Sequence, residues 1–533
     1  MSGLAKKQQS KYADRVATQV DSASYEGDKA ITKSDYEQLV SLLLTSFNES
    51  KFYESADEQE LRLQYIVEHM CDSKEDTLFA LKACIYARTV GNIRTMPLMT
   101  LAVIAENLKG VDNQAVVYRA VRQALTRVDD AITICAYAKM RYGRIPKHVR
   151  RAVADFLDEQ NEYKLAKYQR RKHNFKLKDV LILCRPQKYR DTLYKDIIEN
   201  NLRNKETWES KLSAGEDKSE VFAAMVKEGK LPYMAMLRNI NNMSGLDDAT
   251  FDKAMAKLSD EESVKSSKQL PFRFMSAYKA IAQKSVDDYV DFAFVPSRFT
   301  TGKAKKKQHM IDQRRLDKVA TALSKAMEIQ VEQYDMFTDD DKVAILVDTS
   351  GSMYSYVSAK STIMMAEIGL ALGAMLATRL PDGNVKVYAW ATNTYDITGE
   401  ITDPAIPLVK RVAKKDYSRM TESGTNIDQA LNRVYEDNFG KKVFTKVIIL
   451  SDMQVAYYAN NRAWERYPDE THFYMIDLQG YTTKTQIDQM EPNVTEISGF
   501  SDAIFTTIEG TKEEADVAAT IADIEESIEL YWD

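Results

Sequence analysis

KVAILVDTSGSM, Lys342 to Met353, is the stretch around which the rest of the chain can be arranged. Val343, Ala344, Ile345, Leu346 and Val347 form an apolar run of the kind that makes a strand buried on both faces. The run breaks into Asp348-Thr349-Ser350-Gly351-Ser352, which sets oxygen-bearing side chains at alternate positions where a buried strand would leave its sheet. Side chains two apart share a direction, so Asp348, Ser350 and Ser352 are expected to converge. Their meeting point is the carboxyl end of a strand, where open α/β sheets place their ligands. An oxygen cluster without Cys or His suits a hard divalent cation such as Mg²⁺.

Outward from this stretch, toward higher numbers, the pattern is βα alternation. Strands are expected at 342–348, 385–391, 446–451, 471–477 and 494–498, with helices at about 358–380, 427–438, 459–466 and 512–530. That alternation indicates a doubly wound parallel α/β sheet. Ser423-Gly424-Thr425-Asn426 precedes the helix from Ile427, and the strand Val447–Ser451 ends in Asp452. In a parallel sheet Asp348 and Asp452 emerge at one edge, so the three loops can meet. These elements resemble a von Willebrand factor A domain with its metal-ion-dependent adhesion site, over about residues 340–533. The resemblance implies that Ser350, Ser352 and Thr425 ligate the metal. It also implies that Asp348 and Asp452 hold the metal directly or through water, and that a protein ligand's carboxylate fills the last position. The plainer alternative is that Asp348 caps a turn and the hydroxyls satisfy backbone N–H groups. Hydrolytic metal catalysis needs a positioned base or a second metal, and neither is visible nearby. His472, the one histidine in this part, opens a strand and is read as structural.

Before residue 340 the pattern differs. The first thirty residues are polar and read as a loose arm, and from Thr32 helical periodicity runs for about three hundred residues. Ser34-x-x-Glu37 and Ser73-x-x-Asp76 resemble capping boxes ahead of apolar stripes. Amphipathic segments follow near 96–108, 113–127, 130–142, 146–160, 190–202, 218–229, 247–258 and 271–284, and a long helix at about 312–334. Helices joined by short turns suggest an α-solenoid of HEAT or armadillo type. The expected division is therefore an arm at 1–30, a helical-repeat domain at 31–338 and the α/β domain at 339–533.

Four scattered cysteines without a Cys-x-x-Cys pair speak against a disulfide framework or zinc site and for a reducing compartment. The polar N-terminal stretch lacks a signal segment, and the apolar run 361–380 carries Glu367 and Arg379, so it reads as a buried helix. A cytoplasmic, monomeric protein without membrane contact is expected. The net charge of −6 hides a division: residues 1–340 hold 56 basic against 49 acidic side chains, the remainder 17 against 30. Residues 139–190 alone hold 16 basic against 5 acidic. Such asymmetry points to a polyanion on the basic side.

The candidate nucleic-acid contacts are Lys139, Arg141, Arg144, Lys147, Lys164, Lys167, Arg170, Arg171, Lys172, Lys176, Lys178 and Arg185. Tyr163, Tyr168, His173 and Phe175 are interspersed as surfaces for base stacking. A solvated helix face is the plainer reading of the same charges. The segments LAKYQRRKHNFKLKDVL (165–181), GKLPYMAMLRNINNM (229–243) and KACIYARTVGNIR (82–94) resemble the Ro autoantigen, or TROVE, family. That family pairs a ring of HEAT-like helices with a von Willebrand A domain, in the order seen here. The resemblance implies binding of small noncoding Y RNA on the outside of the ring. It further implies capture of misfolded or fragmentary RNA, whose single-stranded 3′ ends enter a basic central hole. Bacterial relatives use a Y RNA to recruit an exoribonuclease. Where some relatives carry a His that contacts Y RNA, this chain has Leu177. The expectation is a noncatalytic RNA-binding protein of RNA quality control or decay scaffolding. The competing expectation is a metal-dependent protein-binding scaffold, its basic face serving only solubility.

Overall fold

The computed structural model describes residues 12–532 except 18, 47–48, 109–114, 170–173, 200, 202–210, 213–214, 283–312, 359–360, 401–423, 438–443, 457–461, 486, 488–492 and 512–517. The expected loose arm is, over its described part, a folded element. β1 (Ser22–Ala23) and β2 (Lys29–Thr32) form a hairpin, and Arg15 and Val16 are buried. Polar composition misled because the arm is held by ion pairs and backbone bonds rather than by an apolar stripe.

The helices run α1 (Asp35–Thr45), α2 (Ala56–Met70), α3 (Lys74–Thr89), α4 (Thr95–Asn107) and α5 (Ala115–Ala124). They continue with α6 (Val128–Tyr142), α7 (Lys147–Asp158), α8 (Glu162–Gln169), α9 (Leu177–Cys184) and α10 (Thr192–Ile198). Ser34 and Glu37 close the expected capping box on α1, the Ser34 hydroxyl accepting from Glu37 N at 3.2 Å and Glu37 Oε2 from Ser34 N at 2.8 Å. Ser73 caps α3, but the Asp76 carboxylate accepts from the Ser73 hydroxyl at 2.6 Å and from the Tyr36 hydroxyl, its shorter side chain leaving the reciprocal backbone contact unmade. α2, which apolar spacing did not announce, opens with its own box of Ser55 and Glu58. α3 packs on α4 and α5, α4 on α6, and α5 on α7, the layered contact of stacked helical hairpins.

A second arm follows: α11 (Lys218–Lys227), α12 (Tyr233–Arg238), α13 (Asp248–Leu258), α14 (Glu261–Ser267), α15 (Pro271–Ala282) and the long α16 (Gln313–Glu332). The basic loop of Lys303 to Lys307 lies outside the described residues. Among the described residues no helix is long and apolar enough to cross a membrane.

Strands β3 (Val343–Asp348), β4 (Val385–Trp390), β5 (Thr394–Asp396), β6 (Lys446–Ser451), β7 (His472–Asp477) and β9 (Val494–Ser498) form one sheet in the order β5-β4-β3-β6-β7-β9; β8 (Thr483–Lys484) pairs with β2 instead. The sheet is mixed, not wholly parallel: β5 turns back antiparallel on β4. Only residues 391–393 link the two, long enough for a hairpin and far too short for a crossover. Alternate residues of each strand enter opposite cores. Ile345, Val347, Ile448 and Leu450 face α17 (Met365–Ala377), while Ala344, Leu346, Val447 and Ile449 face α18 (Ile427–Asp437). The chain continues through α19 (Ala503–Gly510) and α20 (Ala519–Ser527). α19 was not expected, and the helix anticipated at 459–466 is one 3₁₀ turn, Ala463–Arg466, over its described part.

Both ends of the helical path rest on this α/β domain. α1 packs on β9 and α20, and α3 on α20; α15 and α16 pack on α17. At the first contact Lys484 is paired with Glu37 and Glu496, Lys33 with Asp477, and the Thr45 hydroxyl donates to Gln479 O at 3.0 Å. Gly480 permits the approach: a Cβ there would lie 2.4 Å from Thr45 Oγ1, and its φ is +62°. At the second, Lys279 pairs with buried Glu367 and Phe272 meets Phe500 at 5.7 Å.

Candidate nucleic-acid interface and metal centre

The basic run of 139–190 resolves into paired and unpaired charges. Lys139 donates to Gly143 O at 2.6 Å, Arg141 pairs with Glu60 at 3.2 Å, and Arg144 with Glu106. Their carboxylates come from α2 and α4, so the local charge surplus is partly spent on packing. Lys147, Lys164, Lys167, Lys178 and Arg185 are exposed, and among the described residues none has a carboxylate in ion-pair range. Lys176, half-buried, opens α9 with its backbone N–H on Asp179 at 2.7 Å. α8 and α9 both pack on α6 and on each other, which gathers Lys164, Lys167, Lys178 and Arg185 on neighbouring elements. Arg170, Arg171, Lys172 and His173 lie outside the described residues. The stacking surfaces need correction. Only Tyr163 is exposed; Tyr168 is buried, accepts from Arg127 at 2.8 Å through its hydroxyl, and Phe175 packs against the same core. α8 is amphipathic, so its Tyr168 side is the packing side. Leu177 is likewise fully buried.

Sequence reading missed a second gathering of charge. Arg94 precedes α4, Arg127 precedes α6, Arg238 ends α12 and Arg273 sits in the first turn of α15. Desolvation, then Arg127, lowers the pKa of Arg94; desolvation, then Arg94 and Arg238, lowers that of Arg273. Arg94 and Arg238 belong to different arms, so these electrostatic contacts place the two arms' arginines around one space. Ile93, beside Arg94, is buried in the apolar cluster of the second arm. Desolvation also opposes the charge of Arg127, but Asp129 at 2.9 Å and Tyr168 outweigh it and raise its pKa. Arg94 reaches the same Asp129 only at 4.0 Å, with its side chain 48% exposed. Arg273 is exposed and stacks 4.7 Å over the Phe272 ring. Arginines that are exposed yet within one another's electrostatic reach form a basic cluster, here called the basin, that suits a polyanion. Arg94 and Arg238 lie in two of the segments that carry the family resemblance, but no run of charge marks any of the four.

At the sheet edge the opposite charge gathers. Asp348 Oδ1 accepts from Ser350 N at 2.8 Å and Oδ2 from the Ser451 hydroxyl at 2.5 Å; Ser350 and Ser352 Oγ are 3.4 Å apart. Asp452 Oδ1 accepts from Gln454 N at 3.1 Å, while its Oδ2 is buried with no hydrogen-bond partner. Thr425, also buried, accepts through its carbonyl from Ala456 N at 2.8 Å, which ties its loop to the one after Asp452. Neither aspartate is solvent-exposed. Burial pushes Asp348 up to about 6; burial and then the charge of Asp348 push Asp452 well above the carboxylate range. Two buried carboxylates, one of them with an orphaned oxygen, and three hydroxyls are a hard-oxygen donor set. Among the described residues no group of three or more His, Cys, Asp or Glu is arranged to hold a metal; a cation at this edge would need the hydroxyls as its remaining donors. His472, as expected, is structural: Nε2 lies 2.9 Å from Thr495 Oγ1 and the ring stacks on Tyr474.

Comparison with known proteins bears on both regions. The family model described as TROVE domain matches residues 29–204 and 199–338. Telomerase protein component 1 of Mus musculus is 42% identical over 82 residues, and that of Rattus norvegicus 38% over 82; each match covers 15% of this chain and 3% of the relative. The chain thus spans only a small fraction of the length of these relatives. Among solved structures, the crystal structure of Deinococcus radiodurans RO (RSR) protein matches with a TM-score of 0.54 and 16% identity. That match covers 90% of this chain and 100% of the other, a likeness of fold. The family match extends over more than half the sequence, and it includes Arg94, Arg127, Arg238 and Arg273: the chain belongs to the TROVE, or Ro, family, whose members generally bind RNA.

Proposed function

We propose that this protein binds noncoding RNA, including misfolded or fragmentary RNA whose single-stranded 3′ end enters the basin of Arg94, Arg127, Arg238 and Arg273. The observation carrying this reading is the convergence of those arginines from two arms onto one space. Crowded cations that stay wet are stabilised by a phosphate chain, and counterion release then makes affinity fall steeply with salt. The exposed Lys164, Lys167, Lys178 and Arg185 extend the field along the outer helices, where a structured, Y-like RNA would lie. With few exposed aromatics nearby, phosphate contacts outweigh stacking. Such a binder serves RNA quality control, or holds RNA for an exoribonuclease, without catalysis of its own.

The α/β domain is read as a von Willebrand factor A domain, with Asp348, Ser350, Ser352, Thr425 and Asp452 holding Mg²⁺. The cation would neutralise the paired carboxylates and give the domain a docking point for a protein ligand's carboxylate. The orphaned Asp452 Oδ2 favours this reading over a simple turn cap.

The test is fluorescence anisotropy with an RNA hairpin bearing a single-stranded 3′ tail, titrated at several salt concentrations. Tail-dependent binding that weakens with salt and with Arg94→Glu/Arg273→Glu is expected. Binding indifferent to tail, salt and both substitutions would leave the scaffold reading in its place.

A further inference from the structure

The hairpin β1–β2 reaches the candidate metal centre. Its tip turns at Ser24–Asp28, closed by Ser24 N–H on Asp28 O at 2.7 Å and Gly27 N–H on Ser24 O at 2.9 Å, with Gly27 at φ +91°. β2 pairs with β8, Ile31 opposite Lys484 and Thr32 opposite Thr483. The tip is pinned on the loop that follows Asp452: Ser24 Oγ donates to Val455 O at 3.1 Å and Tyr25 N to Gln454 Oε1 at 3.0 Å. Tyr25 stacks on Tyr53, ring centres 4.8 Å apart, and both meet Tyr481 edge-on at 5.5 Å. The Tyr53 hydroxyl donates to Glu26 Oε1. Gln454, on which Tyr25 N rests, donates its own N–H to Asp452 Oδ1 at 3.1 Å, so the tip that carries exposed Glu26 is one residue away from the cluster.

Among the described residues the Glu26 carboxylate is bonded by the Tyr53 hydroxyl and paired with no cation. A carboxylate at a tip pinned beside two buried aspartates suits a place where a cation offsets like charges. The unpartnered oxygen of Asp452 independently marks the same place. We propose that Glu26 is the chain's own carboxylate for this centre: the hairpin covers the outward face of the bound cation, and an external acidic ligand must displace it. This rests on the reading of the cluster as a cation site.

Mn²⁺ titrated into the full chain, with free Mn²⁺ followed by electron paramagnetic resonance, tests it in wild type, Glu26→Gln and Asp348→Ala, each with and without acetate. Trypsin cleavage at Lys29 reports the hairpin directly. Wild type should bind one Mn²⁺ that Asp348→Ala does not, with little response to acetate, and the metal should protect Lys29. Glu26→Gln should bind roughly tenfold more weakly or worse, recover with acetate and lose the protection. Tyr53→Phe, which removes the hydrogen bond but not the carboxylate, should lose less. Equal affinity, acetate response and protection in wild type and Glu26→Gln overturn the inference and leave the cation site standing. Wild type binding no more Mn²⁺ than Asp348→Ala removes both.

Discussion

The arginine basin and the aspartate pair pose one problem in opposite signs: like charges brought close together. The basin leaves its cations wet. Arg94 is half exposed, Arg273 exposed, and Asp129 serves only Arg127 closely. The aspartates are wholly buried, and one oxygen has no partner. Water screens the first group, which can therefore wait for a large, exchangeable polyanion. The second can be neutralised only by something as small as a proton or a bare cation. Exposure, more than charge, separates a landing surface from a socket.

The hardest way to break this comparison is at the seam between the regions. Lys484 is buried between Glu37 of α1 and Glu496 of β9, and their attraction overcomes burial to hold the Glu37 pKa low. Lys484→Met leaves both carboxylates without their cation and should cost about 3–5 kcal/mol. Urea denaturation should show helical and sheet signals falling together; independent transitions would mean that the regions do not depend on each other. Next is the socket. Mg²⁺ at a hundred times its Kd should stabilise the wild-type chain by about 2.7 kcal/mol, and Asp348→Ala should show none of this in thermal melts. Equal stabilisation of both would move the cation elsewhere.

The basin should respond more gently. Arg94→Glu with Arg273→Glu should lower affinity for a 3′-tailed RNA about tenfold, or 1.4 kcal/mol. It should also flatten the logarithmic salt dependence by about 1.4, two phosphates at 0.7 each. An unchanged slope would sever the basin from the backbone. A pH-dependent effect belongs to Lys51, whose ammonium donates to Gln479 O beside the seam. Burial, and then Arg62, push it down from 10.5 to about 7. The folded chain therefore holds fewer protons than the unfolded chain between those values, and stability should rise as pH rises through that window. Melting at pH 7 and 9 should show a gain in wild type that Lys51→Met lacks.

The parallel part of the sheet was legible because β3, β4, β6 and β7 carry apolar runs, and Asp348 and Asp452 stand at the ends of two of them, whereas β5, Thr394-Tyr395-Asp396, has no such run. The socket follows from strand order and the direction of the chain. The basin was not legible: Arg94, Arg127, Arg238 and Arg273 stand alone, far apart, and only the meeting of two helical arms relates them. Conversely, the dense run at 139–190 overstated its surface, since Glu60 and Glu106 from earlier helices take Arg141 and Arg144. Charge density along a chain does not show which carboxylates return to it. Glu26 was hidden for the same reason, in an arm whose polarity suggested no partner.

Arg15 pairs with Glu525 at 2.6 Å across 510 residues, Lys82 joins the same carboxylate at 2.8 Å, and Tyr86 reaches Asp523 at 2.5 Å. At about 5–20 residues per second, a ribosome needs on the order of half a minute to two minutes between making the first of these groups and the last. For that interval α3 presents an uncovered flank, and the nascent helical path lacks its closing piece. Contacts so distant in sequence slow folding, so chaperone attendance during synthesis, rather than final stability, would set the yield of closed molecules.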